Sequence, residues 1–259
     1  MICNFFKYQG TGNDFIVIDN RGHTFTAGEG LINRLCHRRM GIGADGMLLL
    51  EDSQTHDFAM RYFNSDGREG SMCGNGGRCV AAFAYRLLKL NEKICFMAVD
   101  GEHQAEILNS ENGVSQVRLK MTDVLGVQHD EGYFFLDTGS PHYVTFVDDA
   151  DVLDVVASGR AIRYSPMFPQ GTNVDFVEIN NYCLYVRTYE RGVEDETLSC
   201  GTGVTAAAIA ASFIMPRNSF DITTRGGKLK VSFTRQDEHF SDIWLEGPAA
   251  EMYEGKIDI

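Results

Sequence analysis

The stretch SMCGNGGRC at residues 71–79 is answered far along the chain by LSCGTGVTA at residues 198–206. Each sets one cysteine directly before a glycine-rich turn that opens an apolar, alanine-bearing segment. After the first, Cys79, Val80, Phe83, Leu87 and Leu90 recur at steps of three and four, which predicts a helix over 78–90. After the second, Val204, Ala206, Ala207, Ala208, Ile209, Ala210, Ala211 and Phe213 leave almost no polar face, which predicts a helix over 203–214 surrounded by protein on all sides.

Both helices are followed by hairpin patterns: 94–99 and 104–108 around Asp100-Gly101, then 220–224 and 229–233 around Gly226-Gly227. Cys200 follows Cys73 by 127 positions (200 − 73), and Gly227 follows Gly101 by 126 (227 − 101), so the register survives a whole helix and strand. A further echo joins GNDFIVID at 12–19 to NVDFVEIN at 173–180, with a different offset that unequal loops would produce. The chain therefore reads as two similar halves from an old duplication, an α/β protein of α+β type. Around this frame, 12–20, 47–51, 58–64 and 182–190 read as strands and 29–40 as a helix, with 126–132 as a crossing between halves.

Composition narrows the partners. A formal charge of −13 on 259 residues, with no basic stripe, argues against nucleic acid, whose phosphates must be neutralised by lysine and arginine. No secretory leader is read at residues 1–10, and the most apolar run, 204–215, is too short for a membrane span, so a cytoplasmic protein with no membrane partner is expected. The seven cysteines form no CxxC pair and no Cys/His cluster at zinc spacing, so reduced thiols and no metal are expected.

The chemistry centres on Cys73 and Cys200. The first N–H groups of a helix lack internal partners and carry partial positive charge, so anions bind there and a thiol there can become a base near neutral pH. Glycines after each cysteine would let a carboxylate come close to those amides. Two such sites facing one carbon could remove a proton from one face and deliver one to the other, while the helix ends stabilise the adjacent carboxylate. A single cysteine before a helix is more often packing; two in matching register favour chemistry.

With these motifs in view the sequence resembles the diaminopimelate epimerase family over essentially its whole length. The resemblance rests on GTGNDFIVID near the start, CHRRMGIGADG at 36–46, FNSDG at 63–67, MCGNGGRC at 72–79, GSPHYV at 139–144, GTNVDF at 171–176 and YERGVEDETLSCGTG at 189–203. It implies two pseudo-symmetric halves, each a mixed β-sheet rolled into a barrel around a central helix, one formed by 1–117 plus 248–259 and the other by 118–247, with the site in the cleft between them. It implies a homodimer, no cofactor, and interconversion of LL- and meso-2,6-diaminopimelate in lysine and peptidoglycan precursor biosynthesis. The resemblance makes Cys73 and Cys200 the acid/base pair, with Gly74-Asn75 and Gly201-Thr202 giving amides to the reacting carboxylate. Asn13, Asn64, Asn173, Glu190 and Arg191 would hold the ends of the substrate, and Ser140 and His142 would support them.

Taken alone, Asn13 and Asn64 read as turn residues bonding their own backbone, Glu190 and Arg191 as a solvated pair, and His142 as a structural histidine. Two positions depart from the family: Ser140 replaces an asparagine before Pro-His, and Gly46 stands where a glutamine is found in some members. Proline racemase and hydroxyproline epimerase also pair two cysteines, but their first motif carries histidine where this chain has Asn75. A thiol redox protein is an alternative from another class, though it has no need of two carboxylate cradles.

Overall fold

The computed structural model describes residues 2–26 and 28–259. In chain order the elements are β1 (Ile2–Gly10), β2 (Asn13–Asp19), α1 (Glu29–Cys36), β3 (Gly46–Glu51), β4 (Phe58–Asn64), β5 (Glu69–Gly70), α2 (Gly74–Leu88), β6 (Lys93–Ala98), β7 (Gly101–Glu111) and β8 (Val114–Lys120). They continue with β9 (Gln128–Asp130), β10 (Tyr133–Asp137), β11 (Pro141–Phe146), α3 (Val155–Arg163), β12 (Asn173–Asn180), β13 (Cys183–Glu190), β14 (Asp195–Thr197), α4 (Gly201–Ile214), β15 (Ser219–Thr224), β16 (Gly227–Gln236) and β17 (His239–Asp258). These fall into two compact units, Met1–Leu119 with Gly247–Ile259, and Lys120–Glu246.

In the first unit the strands close on themselves. β1 pairs with β2, then β3, β4, β6, β7 and β8 follow in order, parallel at β2–β3 and β4–β6 and antiparallel elsewhere. The end of β17 completes the ring, pairing with β8 through Gly247–Ala250 and with β1 through Ala250–Asp258. Closure leaves no open edge in the ring. Helix α2 packs against β1, β2, β3, β4 and β7, and its residues from Gly74 to Ala84 are buried.

The apolar run in β2 is explained by this layering. Alternate residues point to opposite faces of a strand. Ile16 and Ile18 join Ile32 and Leu35 of α1 and Met47 and Leu49 of β3 in one buried cluster, while Phe15 and Val17 are buried on the other face, the side of α2. A strand covered on both faces reads as continuously apolar rather than alternating.

The second unit repeats the plan. β10, β11, β12, β13, β15, β16 and the start of β17 follow one another with parallel pairs at β11–β12 and β13–β15. The segment 120–130 closes this ring. Met121 N–H donates to Ile243 O at 2.9 Å and Val124 bridges Phe240, while β9 pairs with β10. Helix α4 packs against β10, β11, β12, β13, β15 and β16, and apart from Thr202 its residues from Gly201 to Ser212 are buried, as its lack of a polar face requires.

Three expectations need correction. First, 173–180 is β12, whose topological counterpart is β3 and not β2. The entry turns confirm this: Gly43 and Gly171 both have positive φ, 83° and 68°, and lie 128 positions apart (171 − 43), close to the offset of the helices. The echo with 12–19 pairs two non-equivalent strands that are both buried. Second, 126–132 is not a crossing, because β9 lies within it and is built into the second ring. Third, α1 ends at Cys36 and not Met40. His37 is extended, with ψ of 120°, and the amides of Ile42 and Gly43 turn back onto Leu35 O at 2.8 and 3.0 Å. The central helices also start earlier than periodicity indicated, directly after each cysteine, so the glycines lie in their first turns.

Ile16 is fully buried between α1 and the ring. Ile16→Ala is expected to lower unfolding stability by about 2–5 kcal/mol in chemical denaturation; a loss below about 0.5 kcal/mol would mean that the site collapses or that this layer is loosely packed.

Candidate active site

Each of the two cysteines is the N-cap of its helix. Cys73 precedes α2 with φ −94° and ψ 129°, and Cys200 precedes α4 with φ −117° and ψ 116°; neither side chain caps its own helix. The first intrahelical bonds run from Gly77 N–H to Cys73 O at 2.7 Å and from Val204 N–H to Cys200 O at 3.0 Å. The amides at Gly74, Asn75 and Gly76, and at Gly201, Thr202 and Gly203, thus precede the helical ladder, where a carboxylate is favoured.

In the first unit the sulfur sits in an amide and guanidinium network. Cys73 Sγ donates to Asn13 Oδ1 at 3.6 Å, and Asn75 Nδ2 donates to the same oxygen at 3.2 Å. Asn13 Nδ2 donates to Asp45 Oδ2 at 2.9 Å, on a rim where Asp14 pairs with Lys7 and Arg38, both at 2.7 Å. Burial alone would raise the Asp14 carboxyl, yet hydrogen bonds and charge from Arg38 and Lys7 outweigh it and hold the group down at about 2. Behind Asn75 lies Arg78, fully buried, donating to Asn75 Oδ1 at 2.9 Å and Thr11 Oγ1 at 3.4 Å, with its Nε unpartnered. Burial pushes the Arg78 guanidinium down from its usual range, and the thiols of Cys79 and Cys73 oppose that push when ionised. The coupling is mutual: a guanidinium held there favours the thiolate form of Cys73.

In the second unit the same positions are dressed differently. Cys200 Sγ lies 3.3 Å from Thr202 Oγ1, which lies 2.9 Å from His142 Nε2. His142 Nδ1 donates to Asp175 Oδ2 at 2.6 Å, and Asp175 Oδ1 accepts from Thr188 Oγ1 at 2.7 Å, with His142 and Asp175 completely buried. The carboxylate places the imidazole proton on Nδ1, so Nε2 accepts from hydroxyls and a hydrogen-bonded line runs from the thiol through Thr202 to the His142–Asp175 pair. Ser140 Oγ joins it, 3.0 Å from His142 Nε2 and accepting from Asn173 Nδ2 at 3.1 Å. Asn173 Oδ1 in turn accepts the Arg191 amide at 2.8 Å.

Burial pushes the Cys200 thiol well above its ordinary range, and the negative charges of Glu190 and Asp175 add to this, against smaller contributions from Thr202 and the Gly203 amide. The expectation that a helix start acidifies this thiol is not met at Cys200: desolvation outweighs the helix end and favours the neutral thiol. The glycines have a packing role as well. A Cβ at Gly203 would stand 2.4 Å from Asp175 Oδ1, and one at Gly77 2.9 Å from Leu119 Cδ2, so these glycines let a buried helix sit close to its barrel wall.

The repeat offset links the two networks. Adding 127 to Thr11, Asn13, Asn75 and Arg78 gives Thr138, Ser140, Thr202 and Thr205. Ser140 thus occupies the place of Asn13, and the small buried Thr205, bonded to Gly201 O at 2.9 Å, occupies that of the cation Arg78.

Not every predicted residue touches a sulfur. Asn64 ends β4, in line with Gly46 and Phe15 across the sheet, and accepts from Tyr62 Oη at 2.9 Å. Glu190 ends β13 and makes itself felt at Cys200 through charge. Arg191 is held by its backbone, with its guanidinium 3.4 Å from Gln170 O. At Gly46 the Tyr62 ring takes the space, 2.7 Å from where a Cβ would be, so no side chain from position 46 reaches the rim. Arg78 and Asp175 lie inside the quoted motifs but had no assigned role; the signal for each is a charge interrupting an apolar segment that has to be buried.

Among solved structures, a Bacillus anthracis phenazine biosynthesis protein of the PhzF family aligns with TM-score 0.80 at 16% identity, over 100% of both chains. A hydroxyproline epimerase from Agrobacterium vitis aligns with TM-score 0.71 at 14% identity, over 99% of this chain and 92% of that one. These likenesses show that the chain shares its fold with both proteins. A sequence model of diaminopimelate epimerase matches residues 5–124 and 134–250. The chain is 50% identical to a diaminopimelate epimerase of Flavobacterium psychrophilum, over 97% of this chain and 99% of that protein, and 43% identical to one of Chlorobaculum tepidum, over 97% and 100%. The chain belongs to the diaminopimelate epimerase family.

Arg78→Met keeps the buried volume and removes the charge. The ascending limb of kcat/KM against pH is expected to move to higher pH, because the Cys73 thiolate loses its cation; an unmoved limb with normal folding would show that Arg78 acts only in packing.

Proposed function

We propose that this chain is an isomerase that epimerises diaminopimelate, interconverting the LL and meso forms, with Cys73 and Cys200 working on opposite faces of one α-carbon. The observation that supports it most is the pair of thiols at equivalent helix starts with opposite electrostatic surroundings, in a chain of this family. The Cys73 thiolate, backed by Arg78, takes the α-proton as general base. Cys200, kept neutral by burial and by Glu190 and Asp175, delivers its proton to the other face as general acid. Protons balance: one thiol is made as the other becomes a thiolate, and the reverse reaction exchanges the roles.

The amides of Gly74-Asn75 and Gly201-Thr202 receive the carboxylate beside the reacting carbon and stabilise the charge that spreads onto it as the carbanion forms. Asn13 and Asn75 fix the Cys73 side, and the Thr202–His142–Asp175 line fixes the Cys200 side and disperses the charge left on sulfur. Asn64, Asn173, Glu190 and Arg191 hold the far ammonium and carboxylate, a zwitterionic end that requires both signs, with Ser140 completing the contact through Asn173. Family membership supports a homodimer working in the cytoplasm.

Incubation of the reduced protein with LL-diaminopimelate is expected to give meso product by chiral chromatography, with proline and hydroxyproline unchanged. Cys73→Ala and Cys200→Ala are each expected to reduce turnover by at least about 10³-fold, with circular dichroism unaltered. Absence of meso product from the reduced wild type would overturn the assignment, and near-normal turnover by either variant would overturn the two-thiol scheme.

A further inference from the structure

Outside the residues of the candidate site, the first unit brings together three metal-ligating side chains that sequence spacing could not join. His56 lies in the loop before β4, Cys95 on β6 and Glu102 on β7, and one ligand atom from each falls within 4.8 Å of the others. His56 Nε2 is 3.0 Å from a Glu102 carboxylate oxygen, and the Cys95 thiol is hydrogen-bonded to the same carboxylate.

The backbone holds this arrangement before any ion arrives. Met97 is opposite Glu102 and Cys95 opposite Gln104 in the β6–β7 ladder, so Cys95 and Glu102 are diagonal neighbours on one face. Asp57 clamps the loop to β6: its N–H donates to Cys95 O at 2.9 Å, and its Oδ2 accepts Cys95 N–H at 2.8 Å. Ser53 Oγ accepts the His56 amide at 3.1 Å. Thr55 Oγ1, 2.7 Å from His56 Nδ1, can accept that ring N–H and leave Nε2 as the ligating nitrogen, the outer-shell contact that orients metal-binding histidines.

Nitrogen, sulfur and carboxylate oxygen in one set suit a borderline divalent ion of the zinc class better than calcium or magnesium, which take oxygen. With bond lengths of about 2.0–2.3 Å, ligand atoms of a tetrahedral centre stand roughly 3.3–3.8 Å apart, so the present cluster needs only side-chain closure. The same hairpin supplies an internal contrast. His103 Nε2 meets Asp100 Oδ1, also at 3.0 Å, while its ring stacks on Phe96 and no thiol joins it. A histidine–carboxylate pair by itself is thus ordinary here, and the added thiol marks the His56 cluster.

We propose that His56, Cys95 and Glu102 form a three-ligand site for a zinc-class divalent cation, with a fourth position open to water, which ties the 53–57 loop to the β6–β7 hairpin. Binding replaces the Cys95 S–H by a metal–sulfur bond, releasing that proton to solvent, while the neutral His56 ring carries its single proton on Nδ1 toward Thr55 and gives the Nε2 lone pair to the metal. The site is separate from the epimerase chemistry and stabilises the folded chain by mass action.

Cobalt(II) is the probe. Chelator-treated full-length protein, reduced without a metal-binding thiol, is expected to take up one equivalent with a thiolate-to-cobalt charge-transfer band and a tetrahedral d–d spectrum, and zinc is expected to displace it. Cys95→Ser and His56→Gln should each abolish the band while epimerase activity persists, which shows that the variants fold. Thr55→Val should weaken affinity roughly tenfold, and His103→Gln and Cys73→Ala should leave it unchanged. Absence of the band in wild type, or its survival in Cys95→Ser with loss in Cys73→Ala or Cys200→Ala, would overturn the proposal.

Discussion

A sulfur at the first turn of a buried helix is the constraint on which the rest of this molecule depends. Enclosure puts the helix end in a place of low dielectric, where amide dipoles count for more than in water and where the proposed substrate would be met. Enclosure on all sides requires a closed wall, and each unit provides one: a ring of strands with no free edge around α2 or α4. The wall approaches so closely that residues of the first turns must be glycine, as the 2.4 Å gap from a Gly203 Cβ to Asp175 shows.

Duplication supplies two such sulfurs, and divergence at a few buried positions separates their chemistry. Arg78 on one side and Thr205 on the other occupy equivalent helix sites; Asn64 and Glu190 occupy equivalent strand ends. One thiol therefore faces a buried cation and the other faces anions, which raise it further beyond the effect of burial. A proton relay across a single carbon requires one thiolate and one thiol, and what distinguishes the two sulfurs here is burial and charged neighbours rather than the helix ends, which are alike. In the proposed reaction the helix ends would hold the carboxylate and the side chains would set the protons.

Much of this was legible in the sequence. The 127-residue offset between Cys73 and Cys200 announced the repeat, and the unbroken apolar face of 203–214 announced a core helix, because both are local patterns that packing leaves untouched. Strand equivalence was not legible: 173–180 resembles 12–19 in composition because both are buried, and only pairing assigns it to β3. Helix α3 escaped notice because Gly159 interrupts it, at a place where a Cβ would lie 2.4 Å from Tyr189. The direction of the Cys200 shift depends on burial, reinforced by Glu190 and Asp175, which converge from the end of β13 and from β12, and the His56–Cys95–Glu102 cluster likewise depends on tertiary register.

The central claim is that two different thiols handle the two faces of the carbon, one taking a proton and the other giving one. The most direct measurement is the reaction of LL-diaminopimelate in deuterium oxide, stopped early and analysed by mass spectrometry of substrate and product separately. Two thiols predict deuterium at the α-carbon of the product alone, with recovered substrate still carrying hydrogen. Equal early labelling of recovered substrate and product, the signature of one exchanging base, would contradict the account.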